Sequence, residues 1–418
     1  MQAEEVFALG LGLTAPWTLL SQRLDMESNP FELHLEIGAE RGAKYPCPTC
    51  GAMCAAHDFE EMSWRHLNFF QHHCYISARV PRVKCKAHGI HRTTVPWSRP
   101  GSGFTLLFEQ VVMSLAREMS VDAVARFVGV HDTRIWRIIR HYVLKAMTGL
   151  DLSGVHGIAL DETASKRGHN YVTVFLDMDR ETRPVIFAVP GKGKECLKAF
   201  AAFLDNHKGK VDNILEVVCD MSPAFIAAVG DSFPKASLTV DWFHVVQLFT
   251  TRMDEVRKLE VRNKVVLPKG TRWTTLKGRE TKRTDCQQAA LQELFERGLA
   301  TATAFRVKEM LRWVREANTA QGARWRATNF LRTARKLVAG DPLLAPMCKA
   351  LYTFEQHLPH ILRRWDSLLS NARLECLNGL FQAARAKARG YRNADYFITM
   401  IYLIGAPITA LLQNSIPH

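Results

Sequence analysis

Two aspartates in the middle of the chain follow short apolar runs and could bind a divalent metal ion. Asp161 follows the run 155–160 and Asp220 follows the run 214–219, and both runs are typical of buried strands. Carboxylates at the ends of neighbouring strands meet at one edge of a sheet, where Mg²⁺ can keep several waters and still bind a phosphate. A single aspartate at a strand end is usually a turn or capping residue, so the prediction depends on the pair.

A third carboxylate, Glu375, lies far downstream in the segment RLECLN. This segment predicts a helix that carries Glu375 in its first turns and Asn378 one turn further along the same face. Positive charge follows at Arg385, Lys387 and Arg389. A carboxylate followed by so much positive charge suits a site that holds both a metal ion and a phosphodiester. Taken alone, Glu375 would be an ordinary first-turn glutamate favoured by the helix dipole.

The elements that must position these acids alternate between strand and helix. The apolar runs that predict strands cover residues 155–160, 171–176, 185–189, 214–219 and 237–240. A helix is predicted at 194–206, so the pattern is typical of a mixed α/β sheet. Asp241 directly follows the last run, and His244 lies on the first turn of the next helix. The sequence therefore predicts another acid and an imidazole near a strand end.

Cysteine and histidine pairs near the N-terminus have the spacing of a zinc site. Cys47 and Cys50 form one knuckle, and Cys85 and His88 repeat its geometry with imidazole as the fourth ligand. Two such knuckles make a tetrahedral Cys3His site for a structural zinc ion. Two neighbours could substitute for either pair, namely Cys54 and His57. Reduced cysteines in a small β module remain the alternative.

Residues 105–147 carry apolar side chains at helical spacing in three blocks, which predicts a helix-turn-helix. Ser120 and Asp132 can cap the second and third helices, and Gly129 can form the sharp turn between them. The third helix would present a polar and basic face formed by Thr133, Arg134, Arg137 and Arg140. A recognition helix enters the major groove with such a face. A plain three-helix bundle with a solvated basic face would give the same pattern.

The charge of the chain favours a polyanionic partner. The 418 residues carry a formal net charge of +14, and Lys and Arg that neutralise phosphates release condensed counterions on binding. The stretch 251–283 holds eleven Lys or Arg against four Asp or Glu, with Trp273 among them. Nucleic acid is the first candidate and an anionic membrane surface the second. By itself, a basic helical stretch is most often a solvated face.

Neither export nor membrane insertion is predicted. The N-terminus carries acidic residues where a secretory signal would be basic. The apolar run 397–412 is interrupted by Gly405 and Pro407 and is shorter than the roughly 20 residues that span a bilayer, so it predicts a core helix that ends at a turn. The ten cysteines form no disulfide-scaffold pattern, which is typical of a reducing cytoplasm.

Several motifs in this order resemble those of the DDE transposases of bacterial insertion sequences, most closely the family whose founding element is called ISL-three. They are CPTCG, WRHL, CKAHG, ALDET, GHNYVTVFLD, CDMSPAF, FPKASLTVDWFHVV, RLECLN and GYRN, and their span covers most of the chain. The resemblance implies an RNase H-like catalytic fold in which Asp161, Asp220 and Glu375 bind Mg²⁺ or Mn²⁺. It also implies a D-x-x-H element, Asp241 and His244, that positions DNA strands near the active site.

Two positions depart from the family pattern. His88 stands where a fourth cysteine is common, which leaves zinc binding intact. Cys376 follows Glu375 where glycine is usual, which bears on how closely the active-site helix can pack.

Together, the patterns and the resemblance predict a multidomain α+β protein. We expect an RNase H-like mixed sheet with an all-helical insertion, preceded by a zinc-binding β module and a helix-turn-helix. The expected parts are a zinc module at 1–100, a helix-turn-helix at 101–150, the first part of the catalytic domain at 151–250, a helical insertion at 251–365, and C-terminal catalytic helices with Glu375 at 366–418.

The expected activity is that of a transposase, with metal-dependent cleavage and transfer of DNA strands. The expected partners are double-stranded DNA, as terminal inverted repeats and as target, and a second copy of the chain in a homodimer on DNA. The expected location is the bacterial cytoplasm, at the nucleoid. We expect Lys387 and Arg389 to contact DNA together with the recognition helix. An RNase H-like nuclease without strand transfer is the alternative. A DNA-binding regulator is less favoured, because it would need only the zinc module and the helix-turn-helix and would give no function to the long C-terminal part.

Overall fold

The computed structural model describes residues 3–40, 42–276, 283–367 and 369–408. Packing divides the chain into two compact units, one formed by residues up to 149 together with those from 383 onward, and one formed by residues 150–382. The division of the chain into five parts stays a prediction. No helix in the described ranges is both long and apolar enough to cross a bilayer.

The first unit begins with a short helix and a six-stranded sheet. The elements are α1 (Ala3–Gly10), β1 (Trp17–Asp25), β2 (Glu32–Ala39), β3 (Lys44–Pro46), β4 (Met53–Phe69), β5 (His72–Cys85) and β6 (Gly89–Arg92). The strand order is β1-β2-β5-β4-β3, with β6 paired to β5. The indoles of Trp17 and Trp64 pack edge-on against Trp97, with ring centroids 5.0 Å and 5.5 Å away. These aromatic rings bury the centre of the sheet and fix the long β4–β5 hairpin that carries the cysteine knuckles.

Three helices follow: α2 (Leu106–Glu118), α3 (Val121–Val128) and α4 (Asp132–Thr148). Ser120 caps α3 by accepting a hydrogen bond from the backbone N–H of Ala123, and Gly129 ends it at a φ of 68°, a conformation that glycine adopts without strain. Both predictions are confirmed. The prediction that Asp132 caps the next helix is wrong, because the side chain of His131 accepts from the N–H of Thr133 and Asp132 is already helical.

A buried carboxylate holds the helix-turn-helix together. Glu109 on α2 is fully buried, so its charge needs partners. It accepts hydrogen bonds from Arg99 Nε at 2.9 Å, from Ser102 Oγ at 2.7 Å and from Tyr142 OH on α4 at 2.8 Å. The network ties α2 to α4 and to the segment before α2. Nothing in the local sequence pattern indicated this role.

The second unit is built around a five-stranded sheet. Its strands are β7 (Gly157–Lys166), β8 (Asn170–Asp177), β9 (Val185–Pro190), β10 (Glu216–Cys219) and β11 (Ser237–Val240), with helices α5 (Lys194–Asn206) and α6 (Pro223–Ser232) between them. The order is β11-β10-β7-β8-β9, and only β8 runs opposite to the others. This order and direction are those of the RNase H-like fold, as predicted.

One strand is longer than its apolar run indicated. The run 155–160 predicts a strand that ends before Asp161, but β7 continues to Lys166 because Asp161 to Ala164 keep pairing with β8. The prediction that Asp161 stands at a strand end is therefore wrong for β7 itself. Its parallel neighbour β10 does end at this level, so Asp161 still lies where the central sheet opens.

Helices make up the rest of the second unit. They are α7 (Trp242–Arg262), α8 (Thr271–Leu276), α9 (Asp285–Glu296), α10 (Ala300–Arg315), α11 (Ala320–Val338), α12 (Ala345–Gln356), α13 (Leu358–Leu362), α14 (Arg364–Ser367) and α15 (Ala372–Lys387). Buried Glu260 on α7 accepts the backbone N–H groups of Ala300 and Thr301 at 2.7 Å and 3.1 Å, which anchors the first turn of α10. The predicted all-helical insertion between β11 and the helix of Glu375 is confirmed.

The final helix, α16 (Ala394–Gly405), belongs to the first unit. It packs against α4, where the rings of Tyr396 and Trp136 lie 4.5 Å apart. This helix covers residues 397–405 of the apolar run. The prediction of a core helix that ends near Gly405 is confirmed. Residues 409–412 of that run, and 277–282 of the predicted basic stretch, lie outside the described residues.

Candidate functional site

The register of three parallel strands places three aspartates at one level of the sheet. The last pairs between β10 and its neighbours are Val218 with Ala159 and Cys219 with Val240. Continued by one or two residues, the same register sets Asp220 level with Asp161 on one side and with Asp241 on the other. Residues at one level of a parallel sheet share a face. The two predicted carboxylates therefore come together, with Asp241 beside them.

Asp161 lies at the centre of this group and is held on both oxygens. Its Oδ2 accepts a hydrogen bond from Asn378 Nδ2 at 2.9 Å, and its Oδ1 accepts the backbone N–H of Glu162 at 2.8 Å. His244 Nε2 lies 3.9 Å from the same Oδ1. Burial raises the pKa of Asp161 and the nearby Asp220 and Asp241 raise it further, while His244 lowers it. Three of the predicted accessory residues thus surround the central acid.

Glu375 approaches from α15, in the turn that follows Asn371. The pKa of Glu375 is raised to about 8, first by burial and then by Asp241 and Asp161. Burial alone raises the pKa of a carboxyl, and nearby carboxylates raise it further. Asn371, four residues before Glu375, is hydrogen-bonded to Asp241 Oδ1, so α15 starts at the group of acids. Asp241 contributes more to the raised pKa of Glu375 than Asp161 does.

Side-chain amides connect α15 to the strand of Asp161. Asn371 is fully buried; its Nδ2 donates to the backbone oxygen of Leu160 at 3.5 Å and its N–H to Asp241 Oδ1 at 3.3 Å. Further along α15, Gln382 Nε2 donates to Thr163 Oγ1 at 2.7 Å and to the oxygen of Ala164 at 2.9 Å.

The spacing of these amides is visible in the sequence. Asn371 lies seven residues before Asn378 and Gln382 lies four residues after it, which places all three on one face of a helix. Only Asn378 was predicted. The other two are missed because an amide on a helix face is ordinarily a solvated residue, and the sequence does not reveal that this face meets a strand.

Glu162 is another residue that the sequence analysis left out of the site. Its pKa is raised to about 7, first by burial and then by Asp220 and Asp161, and Lys192 opposes the shift. It follows Asp161 directly, so its place beside the site could have been inferred, but alternation along a strand predicts that adjacent side chains point to opposite faces.

Several polar atoms around the acids are buried without a hydrogen bond among the described residues. They are Asp241 Oδ2, His244 Nε2, Asn371 Oδ1 and Asn378 Oδ1. Buried polar atoms are nearly always satisfied by a partner, an ordered water or an ion. Three of the four atoms are carboxylate or amide oxygens, the type of ligand that Mg²⁺ and Mn²⁺ prefer. Among the described residues, no three of the acidic side chains have ligand atoms all within 4.8 Å of one another.

The four predicted zinc ligands come together in the first unit. Cys47, Cys50, Cys85 and His88 have ligand atoms that all lie within 4.8 Å of one another, and no other group of described residues meets this criterion. Cys50 Sγ and Cys85 Sγ are 3.7 Å apart, and His88 Nδ1 lies 3.5 Å from Cys85 Sγ. Two sulfurs about 2.3 Å from a tetrahedral zinc ion would be about 3.8 Å apart, so the geometry fits zinc.

The charge state of this cluster also suits a metal ion. A hydrogen bond from His88 lowers the pKa of Cys85 to about 6, with help from backbone N–H groups. A thiolate is the form that binds zinc. Cys54, the predicted substitute, lies close enough for Cys85 to raise its pKa but is not one of the four.

The recognition face of α4 is present as predicted. Ile135, Ile138 and Ile139 are buried, and the four predicted DNA-binding residues are exposed, namely Thr133, Arg134, Arg137 and Arg140. Two of these arginines also stack on rings of the first unit, since the guanidinium of Arg134 lies 4.3 Å from the Phe104 ring and that of Arg140 lies 4.7 Å from the Tyr396 ring.

Lys387, the last residue of α15, and Arg389 just after it are exposed too. Lys387 donates to the backbone oxygen of Glu118 at 2.8 Å and so caps the C-terminal end of α2. Arg389 adopts a positive φ of 57° just before Gly390. Both residues therefore border the helix-turn-helix.

Comparison with known families decides what kind of protein this is. A transposase model of the ISL3 DDE family matches residues 158–401, which is more than half of the chain. The chain belongs to the ISL3 family of transposases. The helix-turn-helix domain of transposase family ISL3 matches residues 93–143, and the zinc finger of the transposases of IS204, IS1001, IS1096 and IS1165 matches residues 44–88, which include all four zinc ligands.

This ISL3 transposase also resembles individual relatives. It is 26% identical to the transposase for insertion sequence element IS1001 of Bordetella parapertussis over 369 residues, 85% of this chain and 87% of the relative. It is 28% identical to the transposase for insertion sequence element IS1557 of Mycobacterium tuberculosis over 219 residues, 51% of this chain and 48% of the relative. The ISL-three resemblance drawn from the sequence motifs is confirmed.

We expect the purified protein to contain a structural zinc ion that depends on Cys85 and not on Cys54. The Cys85→Ala variant should lose the metal and melt at a lower temperature, because a structural zinc site contributes on the order of 10 kcal/mol to folding. The matched Cys54→Ala variant should keep it. Metal analysis and thermal melting measure both. Equal zinc content in the two variants would contradict the assignment of ligands.

Divalent-metal binding at the acidic group should depend on pH. The raised pKa of Glu375, about 8, means that the metal-free protein holds a proton there at neutral pH, and a metal ion must displace it. Apparent Mn²⁺ affinity should therefore rise through pH 7 by up to about tenfold per unit and level off above about pH 8. Titrations followed by Mn²⁺ paramagnetic resonance test this, with Glu375→Gln as the variant that should lose the upper part of the rise.

Proposed function

We propose that this transposase binds the terminal repeats of its insertion sequence, cleaves the DNA strand at their ends and transfers the freed end to target DNA. The observation that carries the proposal is the meeting of four acids from four elements. Asp161 on β7 lies level with Asp220 and Asp241, which directly follow β10 and β11, and α15 brings Glu375 to them after the helical insertion. Like charges repel and burial disfavours ionisation, so such a group of carboxylates is typical of a site that binds metal ions.

Asp161, Asp220 and Glu375 are the proposed ligands of Mg²⁺ or Mn²⁺. When bound, such an ion helps to activate a water or a 3′-hydroxyl and to stabilise the leaving oxygen of a phosphodiester. Asn378 holds the central carboxylate by donating to Asp161 Oδ2. Since an amide donor stabilises the ionised form, Asn378 keeps Asp161 ready as a ligand despite its burial.

Asp241 and His244 complete the proposed site. Asp241 is 4% exposed and accepts the N–H of Asn371, so it fixes the turn from which α15 starts. His244 Nε2 lies near Asp161 without a hydrogen bond from described residues. Its imidazole can donate to a DNA phosphate or to an attacking hydroxyl, and we propose that the two residues orient the DNA strand.

Recognition of the DNA ends is assigned to the first unit. The exposed residues of α4 would read base edges in the major groove, and Lys387 and Arg389 would contact phosphates next to it. In the second unit, the basic stretch 251–283 would hold the duplex backbone without reading sequence. Two ends must be cut and joined, so we propose a homodimer on DNA.

Duplex DNA carrying the element's own ends tests the chemistry. With Mg²⁺ or Mn²⁺, the wild-type protein should nick the ends and join them to a second DNA, and Glu375→Gln should reduce both reactions by at least about 100-fold, the scale for loss of one electrostatic stabiliser. DNA binding should stay unchanged because Glu375 belongs to the second unit, whereas the recognition helix belongs to the first. Sequencing gels measure cleavage and joining.

The outcomes separate the alternatives. Cleavage without joining would identify an RNase H-like nuclease. Equal cleavage by wild type and Glu375→Gln would reject the proposed ligand set, and specific end binding with no metal-dependent cleavage would leave only a DNA-binding protein.

The recognition helix makes a separate prediction. Arg137→Ala should weaken binding to the element's ends by about 1–3 kcal/mol, because an arginine that contacts a base or phosphate in the groove is lost. The control is Lys198→Ala, which removes the same charge from an exposed ion pair with Glu195 on α5. Fluorescence anisotropy at several salt concentrations measures both. Equal effects of the two substitutions would show that only net charge matters.

A further inference from the structure

A pair of tryptophans is exposed where two helices of the insertion meet. Trp313 near the end of α10 is 39% exposed, and Trp325 in α11 is 62% exposed. We call this surface the α10–α11 corner and define it by Trp313, Arg315, Arg324, Trp325 and Arg326. Large apolar side chains exposed side by side usually mark a binding surface.

The corner is strongly basic. Residues 312–336 contain seven Lys or Arg and one acidic residue, Glu316, for a net charge of +6. Arg315, Arg324, Arg332 and Lys336 are exposed, while Arg312 and Arg335 form ion pairs with Glu309 and Glu355 at the surface. A protein partner that covered the tryptophans through apolar contact alone would have to desolvate this charge, whereas a polyanion is attracted by it.

The rings are held in a fixed arrangement. The Trp313 and Trp325 rings are 5.6 Å apart and steeply inclined to each other. Arg326 places its guanidinium 5.4 Å from the Trp313 ring and donates from Nη1 to the backbone oxygen of Trp313 at 2.8 Å. Trp313 is therefore supported by an arginine from the opposite helix, which leaves Trp325 as the more open ring.

The corner is anchored to the acidic group. Ala317 and Ala323, which flank the turn between the helices, pack with Leu362, and Trp365 Nε1 donates to the oxygen of Ala317 at 2.7 Å. The Trp365 ring lies 5.8 Å from that of Trp242, the residue directly after Asp241. This chain of contacts leads from the tryptophan pair to the strand end that carries an active-site aspartate.

Arg315 adds a cation at the same helix end. It is the last residue of α10, two residues after Trp313, and its side chain is exposed. Among the described residues, no carboxylate lies within ion-pair distance of Arg315. The end of α10 therefore presents a tryptophan and an unpaired guanidinium on the same surface.

We propose that the α10–α11 corner binds an unpaired DNA strand, with Trp325 stacking on a base and the arginines holding the adjacent phosphates. In a duplex the faces of the bases are covered by their neighbours, so an exposed indole finds a stacking partner only where the strand is unpaired. The inference rests on the proposed function, because strand cleavage and transfer are the steps that produce such a strand next to the acids.

Binding of a single-stranded oligonucleotide tests the proposal without requiring catalysis. The probe is labelled oligo-dT of about 15 nucleotides, measured by anisotropy with full-length protein and no divalent metal. Trp325→Ala should weaken binding about tenfold, since one stacked base contributes on that scale. Trp325→Phe should retain most of the affinity. The matched control is Tyr352→Ala, because Tyr352 is also 62% exposed in the insertion but lies outside the corner; this control should bind like wild type.

Comparison with duplex DNA completes the test. The affinity of Trp325→Ala for a blunt duplex without the element's ends should stay within about twofold of wild type. Equal weakening for duplex and single strand, or no weakening for either, would overturn the proposal, as would an equal loss in Tyr352→Ala. These measurements need no metal and no cleavage, so failure of the proposed chemistry would appear separately, as wild-type protein that binds the oligonucleotide but cuts no ends.

Discussion

The structure depends on holding several carboxylates close together in a partly buried place. Like charges repel and burial penalises ionisation, so Asp161, Glu162 and Glu375 all have raised pKa values. The protein compensates with donors rather than by spreading the acids apart. Asn378 donates to Asp161, and Asn371 donates to Asp241. These hydrogen bonds offset part of the repulsion between the acids, and the carboxylates can still bind cations. The proposed metal chemistry needs both properties.

Glu375 is far from the other acids along the chain, because the whole helical insertion separates it from Asp220. The position of its carboxylate therefore depends on how firmly α15 is bound to the sheet. The amides of Asn371 and Gln382 bond α15 directly to β7, so the returning helix is aligned on the strand that carries the central acid. The parallel register does the same for Asp220 and Asp241 without any side-chain contact.

The remaining parts share one arrangement, in which a rigid interior supports the surface. In the zinc ribbon, the two knuckles hold four ligand atoms within 4.8 Å of one another, and a structural zinc ion bound there contributes to folding. The helix-turn-helix is fixed from inside by buried Glu109, and on the exposed face of α4 Arg134 and Arg140 stack on neighbouring rings. In the insertion, exposed tryptophans and arginines lie over a well-packed alanine-rich turn. In each case rigid packing supports a polar or basic surface.

The sequence by itself determined the residue types and most of the elements. Apolar runs located the strands of Asp220 and Asp241, knuckle spacing identified Cys47, Cys50, Cys85 and His88, and helical periodicity with Gly129 identified the helix-turn-helix, because these signals are local. Only the tertiary structure decided that β7 runs past Asp161, that the turn before Glu375 is bonded to Asp241, and that Asn371 and Gln382 are donors to a strand. Those facts depend on which surfaces meet across long chain separations, and local periodicity contains no information about that.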